Sequence, residues 1–433
     1  MEIFLHNSSG HALERFVPIK PGQVGMYVCG PTVYDRAHLG NARPVIVFDV
    51  LSRLLRRHYT VRYVRNITDI DDKIINRANE TGEDIRLITD RTTKLFHEDM
   101  AALGNLPPDI EPRATDHITS MILFIASLIH KGHAYEAEGH VLFDVSSNPR
   151  HGSLMGIDPD TLKAGARVEK APYKRNPEDF VLWKPSPPGW PSWWSPWGDG
   201  RPGWHIECSA MASKHLGNKF DIHGGGLDLA FPHHECENAQ TTCTFGTDRM
   251  ANVWMHNGLL TVNGKKMSKS LGNFITVDEI LKHGHWAGEA FRFFTLKTHY
   301  RSPLDYTVEG LMDARKELDG FYRKVEPATG DVPEEFEDAL ARDLNVPGAL
   351  AIMHAEKDPQ KLFLMGQAIG LFTMERDVWF RGDSNTEIEE MIAARNIARA
   401  KKEWAESDKL RASLLEIGVV LEDSAAGTTW RRV

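Results

Sequence analysis

Up to about residue 310, short apolar runs with strand character alternate with longer runs at helical spacing; beyond it only the helical pattern remains. Ile3–His6 and Met26–Cys29 read as strands, and the second is apolar enough to be buried. Val45–Leu55 has apolar residues at helical spacing and closes with Arg53, Arg56 and Arg57, favourable charges at a helix C-terminus. Val61–Arg65 alternates and reads as the next strand. Strand, helix, strand in that order predicts a parallel nucleotide-binding sheet, where ligands sit beyond the carboxyl ends of the strands. Helices are predicted over about 84–103, ended by Pro107, Pro108 and Pro112, and over 116–131; His140–Asp144 reads as a strand. Residues 172–204 hold six of the eleven tryptophans among many Pro and Gly, which predicts a loop-rich insertion with its indoles anchored in packing. Phe220–His223 reads as a strand entering a turn at Gly224–Gly226, and Pro232 stands where the next helix opens.

In the last third, Phe336, Leu340 and Leu344 recur every four residues, and Asn345 is placed to cap a helix with Pro347 in its first turn. Residues 387–417 predict a helical pair ending at Gly418. Between Arg395 and Arg411 stand six basic and three acidic residues, which read either as a solvated helix face or as a basic patch for a nucleic-acid partner.

At 433 residues the chain is too long for one typical domain. A hydrophobic content of 41% with 26% charged residues fits a globular protein. Apolar runs such as Met121–Ala126 are far too short to span a membrane, and the N-terminus has no signal-peptide pattern. Four cysteines do not make a disulfide framework, so a cytoplasmic protein is expected. The net charge of −9 excludes a surface coated in nucleic acid and confines any such partner to local basic patches.

Candidate chemistry gathers at three places. His38-Leu39-Gly40-Asn41 lies between a predicted strand and a helix, where unpaired N–H groups and a positive dipole end hold anions, and Gly40 admits a nucleotide close to the backbone. Gly264–Asn273 packs Lys265, Lys266 and Lys269 with Ser268 and Ser270 into a glycine-bounded loop suited to clamping a polyphosphate. The third place is metal-capable. His233 and Glu237, four apart, project from one helix face, and Cys29 and Cys208 complete a tetrahedral zinc set. Spacing alone leaves His234 and Glu235 open as alternatives, since His234 and Glu237 also share a face. The carboxylates of Asn66–Lys73 read as a helix N-cap with first-turn acids, and Cys236 and Cys243 as small buried hydrophobes.

The first two stretches resemble the paired signatures of class I aminoacyl-tRNA synthetases, HIGH and KMSKS in one-letter code. Lys266–Ser270 matches the second letter for letter; the first keeps His38 and Gly40 and departs at Leu39 and Asn41. Met26–Asp35, Gly203–Met211, Asp221–Gly226, Phe231–Glu235, Asp343–Leu350 and the ending Leu421–Asp423 with Gly427–Arg432 resemble the cysteinyl-tRNA synthetase family, with 355–386 shorter than in many members. The resemblance implies an α/β fold: a Rossmann-like catalytic domain interrupted by an insertion, then an α-helical C-terminal half. It divides the chain into 1–115 and 201–262 as the catalytic halves and 116–200 as the insertion. Residues 263–315 become the lysine-loop and stem-contact region, 316–385 a helical bundle and 386–433 an anticodon-binding module.

The same resemblance implies a two-step reaction. Cysteine's carboxylate attacks the α-phosphorus of ATP, pyrophosphate leaves, and the tRNA 3′-terminal ribose then takes the cysteinyl group. It implies Zn²⁺ on Cys29, Cys208, His233 and Glu237, and Mg²⁺ with ATP. His38, Asn41, Lys266 and Lys269 are the expected catalytic residues. His38, Gly40, Asn41, Gly225, Gly226, Asp228 and Lys269 are expected on ATP, and Cys29, Thr32, Trp204 and His205 around substrate cysteine. For tRNA(Cys) the candidates are Arg399, Lys401, Lys402, Trp430 and Arg431, with Trp430 stacking on the anticodon. No editing domain is expected, because a metal–sulfur bond rejects serine more strongly than pocket shape can, and a monomer is expected. The alternatives are a cysteine ligase with an amino-sugar acceptor and a non-catalytic zinc-dependent RNA-binding protein.

Overall fold

Four parallel strands form the centre of the molecule, in the order Ala251–Asn257, Phe220–Gly226, Gln23–Val28, Thr60–Arg65. The computed structural model describes residues 1–156, 171–268, 271–382, 386–424 and 427–432. The predicted N-terminal strand pairs antiparallel with Ala12–Arg15 as Phe4–Asn7, outside the central sheet.

The helix after the first central strand is Leu39–Arg56, so it begins at the His38 motif and not near Val45. His38 is its N-cap, and Asn41 closes a capping box with it. Pro44 inside a helix costs about 3 kcal/mol, but Val45, Ile46, Phe48, Leu51, Leu54 and Leu55 are all buried, at about 1.5–3 kcal/mol each. Packing therefore overrides the local signal. The predicted turn at Gly224–Gly226 is also absent: the strand runs straight through these residues. A Cβ on Gly224 would lie 2.3 Å from the Phe48 ring, so the glycine lets the helix press flat against the sheet.

The sheet is interrupted between Arg65 and Phe220. Asp71 caps Asp72–Thr81, as the reading of Asn66–Lys73 predicts, and Asp84 caps Ile85–Ala102. The segment 172–204 is more ordered than its composition suggests. Phe180–Pro185 and Gly200–Pro202 join Ala134–Ala137 and His140–Phe143 in a four-stranded antiparallel sheet. Trp183 is fully buried there and Trp190 lies under the Arg201 guanidinium, while Trp194 is exposed. Asp72 ties this sheet to the catalytic side through Lys184 at 2.7 Å and Arg201 at 3.2 Å.

Beyond the sheet, buried Arg43 donates to the carbonyls of Gly258, Leu259, Tyr300 and Ser302, binding the first helix to the segment after the last strand. The C-terminal half is helical through Val308–Tyr322, Glu334–Ala341, Val346–Ala355 and Pro359–Ala368. Asn345 caps the third of these, accepting from Gly348 N. Helices Thr386–Ala400 and Trp404–Glu416 then pack with the hairpin Val419–Ser424/Gly427–Arg432 around a small core of Ile388, Ile392, Leu414, Val419, Leu421 and Trp430. No helix among the described residues is long and apolar enough to cross a membrane.

Candidate active site

Cys29 lies just past the carboxyl end of its strand, on the switch between the two halves of the sheet. Gly30 follows because nothing else fits: a Cβ there would lie 1.7 Å from the Asn66 carbonyl. Asn66 Oδ1 accepts from Gly30 N at 2.9 Å, and its amide donates to Thr68, whose hydroxyl donates to buried Glu207. This network fixes Cys29 against Cys208, which comes from the first turns of helix Trp204–Leu216. The two sulfurs are 3.7 Å apart, and Cys29 Sγ is 3.4 Å from Glu237 Oε1. His233 Nε2 reaches the same Glu237 oxygen at 3.0 Å.

Cys29, Cys208, His233 and Glu237 each offer a donor atom within 4.8 Å of the others. Ligands about 2.3 Å from a tetrahedral zinc stand about 3.8 Å apart, so the sulfur pair has the spacing of such a site. The cluster also attracts positive charge: without an ion, its thiol and carboxylate draw a proton onto His233. A hydrogen bond from Cys29 pulls the Cys208 thiol down to about 6 against its burial, while burial pushes Cys29 up. Burial opposes a charge on Glu237, but His223 and His233 outweigh it and hold the carboxyl well below its usual range. Burial likewise opposes a charge on His233, yet Glu237 and Cys208 raise it to about 10. His223, at 2.8 Å from the second Glu237 oxygen, supports the carboxylate from behind.

His234 does not join this set. It faces His256 at 2.8 Å, and His256 faces Ser8, forming a buried polar chain. A second cluster of Cys29, His223, His234 and Glu237 meets the same distance limit but supplies only one thiol. Glu235 accepts from Leu154 N in the insertion. Helix Glu235–Phe245 follows a five-residue π-turn, Ala230–His234, that contains Pro232; the α-helix itself starts after that residue.

A cleft of about 410 Å³ runs over the strand ends, large enough for a nucleotide-sized ligand. Its lining includes Cys29, Thr32 and Trp204 together with His38, Gly40, Asn41, Gly226, Asp228 and Lys266. His38 Nδ1 accepts from Asn41 N at 3.2 Å, so a neutral ring carries its proton on Nε2. Asn41 Oδ1 returns a bond from His38 N at 3.2 Å; the side chain thus holds the helix start that presents His38. Trp204 stacks on His233 with centroids 4.1 Å apart. His205 stands behind, its Nδ1 2.9 Å from that of His233, and burial drives its pKa down to about 3. Gly225 faces the His234 ring and not the cleft. Lys269 and Ser270 lie outside the described residues.

The two motifs are stitched to one another. Leu39 N donates to Ile275 O and Val277 N to Ala37 O, and Arg36 pairs with both Asp99 and Asp278 at 3.1 Å. Asn273 closes the lysine loop, accepting from Ser268 N and donating to Lys266 O. Arg36 and Asn273 escaped the sequence reading because their partners are distant or because the loop looked freely flexible.

In the C-terminal module Trp430 is 4% exposed and donates its ring N–H to Glu389. Its face is covered by the module's own core, which corrects the expectation that it stacks on a base. Arg395 and Arg399 both pair with Asp423, and Arg431 with Glu422. Trp404, which the sequence reading passed over, is 59% exposed beside exposed Lys401 and Lys402 at the joint between the two helices. An aromatic residue in a short basic joint, off any apolar stripe, was the signal that could have found it.

Residues 15–316 match the family described as tRNA synthetases class I (C) catalytic domain, and 381–431 the cysteinyl-tRNA ligase anticodon binding domain. Cysteine–tRNA ligases of Acidiphilium cryptum and Rhodospirillum rubrum are 56% and 54% identical to the chain, over 449 and 460 residues, with all of each chain covered. Among solved structures, Mycobacterium tuberculosis methionyl-tRNA synthetase in complex with methionyl-adenylate superposes with a TM-score of 0.55 at 15% identity, over 90% of this chain and 88% of that one. The Agrobacterium radiobacter K84 agnB2 LeuRS-tRNA-LeuAMS ternary complex also gives 0.55, at 12% identity over 82% and 83%. These two speak for the fold: it is that of class I aminoacyl-tRNA synthetases. Within that class the chain belongs to the cysteine–tRNA ligase family, and it joins cysteine to tRNA(Cys) in an ATP-dependent reaction. The amino-sugar alternative finds no support in these comparisons.

Proposed function

We propose that the chain selects cysteine through its sulfur at a zinc ion held by Cys29, Cys208, His233 and Glu237, and activates it across the cleft between His38 and the 266–270 loop. The spacing of the two sulfurs carries this reading. Zinc there favours the thiolate of the substrate and discriminates against the harder hydroxyl of serine. Thr32 and Trp204 wall the cysteine pocket, and His205 buttresses His233. Gly226 and Asp228 take the adenosine, with Asp228 accepting from its ribose hydroxyls. His38 donates from Nε2 to a phosphate oxygen, and Lys266 and Lys269 offset the charge that develops there; Mg²⁺ accompanies ATP. Asn41 positions His38, and its own amide also lines the cleft.

The C-terminal module meets tRNA(Cys) through Arg399, Lys401, Lys402 and Arg431, and exposed Trp404 supplies the stacking surface first assigned to Trp430. The enzyme acts as a cytoplasmic monomer. The test is charging of unfractionated tRNA with labelled cysteine beside labelled serine, before and after metal chelation. Cysteine charging without serine charging, lost on chelation and restored by zinc, is the expected result. Charging that survives removal of all bound metal overturns the zinc reading.

A further inference from the structure

The two legs of the lysine loop are carried by different neighbours. The outgoing leg, Leu260–Val262 turning back as Lys265–Lys266, pairs with Leu304–Tyr306 in a three-stranded sheet of its own. Asp305 fastens it, accepting from the Thr261 hydroxyl at 2.7 Å and from Gly264 N at 2.8 Å. The returning leg, Phe274–Thr276, lies instead against the His38 motif. His38 and Thr276 form an antiparallel bridge, and the His38 and Phe274 rings meet edge to face at 5.1 Å. The short helix Val277–Leu281 follows at once, its start closed by a capping box of Thr276 and Glu279.

The backbone bonds Leu39 N to Ile275 O and Val277 N to Ala37 O set the register of this leg along the motif. Arg36 adds a third point on a different element. Its guanidinium faces Asp99 of helix Ile85–Ala102 with Nε at 3.4 Å and Nη2 at 3.1 Å, and gives Nη1 to Asp278 of the short helix at 3.1 Å. Asp99 is 1% exposed, and Arg36 is the one cation paired with it among the described residues. The buried carboxylate therefore fixes the planar fork from behind, and Asp278 is what the fork holds. Arg36 and Asp278 are each 30% exposed, and a pair as wet as this contributes little to folding. Arg36 also lines the cleft, in the same wall as His38 and Lys266.

Resting on the proposed placement of ATP between His38 and the loop, we infer that Arg36 is a positioning residue for the activation of cysteine: clamped to Asp99, it holds Asp278, and through Asp278 it sets where the loop presents Lys266 to the phosphates. It acts through the loop and not on the substrate. Charge develops on the phosphates only while the adenylate forms, so the tie serves that step and not the later transfer to tRNA.

The experiment uses the full chain carrying Asp278→Asn, which removes the tie and leaves Arg36 on buried Asp99. Two rates are read, cysteine-dependent ATP–pyrophosphate exchange and single-turnover transfer from preformed adenylate to tRNA, with the melting temperature beside them. Asp278→Asn is expected to lower kcat/KM for ATP by about 10-fold while the KM for cysteine and the transfer rate stay within about 2-fold. The melting temperature should stay within about 2 °C of the native chain. Lys282→Ala removes the other partner of Asp278, 2.8 Å away on the same turn, and should leave both rates as they are. Adding Asp278→Asn to Arg36→Gln should cost little beyond Arg36→Gln alone. Unchanged exchange in Asp278→Asn overturns the inference; so does an equal loss of exchange and transfer, or an equal effect of Lys282→Ala. Lys266→Ala separates the two readings. If it loses exchange and Asp278→Asn does not, the tie alone is wrong; if Lys266→Ala exchanges normally, the loop does not act on ATP and the proposed function fails, taking the tie's role with it.

Discussion

In the metal-capable cluster the polar groups are buried and drawn from distant segments, whereas in the C-terminal module the ion pairs reach the surface and join near neighbours. Cys29 and Cys208 are 179 residues apart in sequence, and Glu237 is fully buried between two histidines. Arg395, by contrast, reaches Asp423 only 28 residues away, and Arg431 reaches Glu422 across its own hairpin at 36% and 61% side-chain exposure. The first arrangement holds a few atoms in fixed positions before a small ligand arrives. The second holds a surface whose charges can exchange partners in water, as a large anionic partner requires. One chain thus builds a rigid site where chemistry occurs and an adjustable one where only recognition does.

Breaking the rigid side has the largest expected effect. Cys208→Ala should abolish bound metal, measured by elemental analysis, and lower cysteine-dependent exchange by at least about 100-fold, since even groups supporting a metal ligand are worth 10–100-fold. Folded chain with full metal content after this change would refute the ligand assignment. On the adjustable side the two tryptophans separate. Trp430→Ala removes a buried indole and should destabilise the module by about 3–5 kcal/mol. Differential scanning calorimetry would show an early transition, with exchange spared and charging reduced. Trp404→Ala should leave that transition in place and weaken tRNA affinity by about 1–3 kcal/mol, read by a titration at fixed salt. If Trp404→Ala shifts the melting and Trp430→Ala does not, the contrast between the two indoles is wrong.

Local signals were the legible ones. Asn345 and Asp71 cap helices as their neighbours in sequence imply, because a cap involves residues two or three apart. The metal-capable cluster was legible in part: the helical spacing of His233 and Glu237 could be read, but spacing left His234 an equal candidate, and only the structure shows that it faces His256 while the group with two thiols contains His233. The start of helix Leu39–Arg56 was obscured by Gly40 and Pro44, residues that disfavour a helix in isolation and are tolerated because the buried face decides. Arg43 could not be recognised at all. Its carbonyl partners lie more than 200 residues away, and burial lowers its pKa to about 10, an environment that no window of sequence around it reveals. Trp430 was misread for a related reason: a hairpin shows which residues alternate, not which face is covered.

The interruption of the central sheet also sets an order of events at the ribosome. Strand Gln23–Val28 is flanked on one side by a neighbour made soon after it and on the other by Phe220–Gly226. At about 5–20 residues per second, the stretch from Cys29 to Cys208 takes about 9–36 s to synthesise. For that interval the nascent chain carries a half-sheet with an open inner edge and a thiol whose partner does not yet exist. The catalytic centre therefore closes late, when the second half arrives to zip along a waiting strand, and a translational pause upstream of residue 220 lengthens the exposure of that edge.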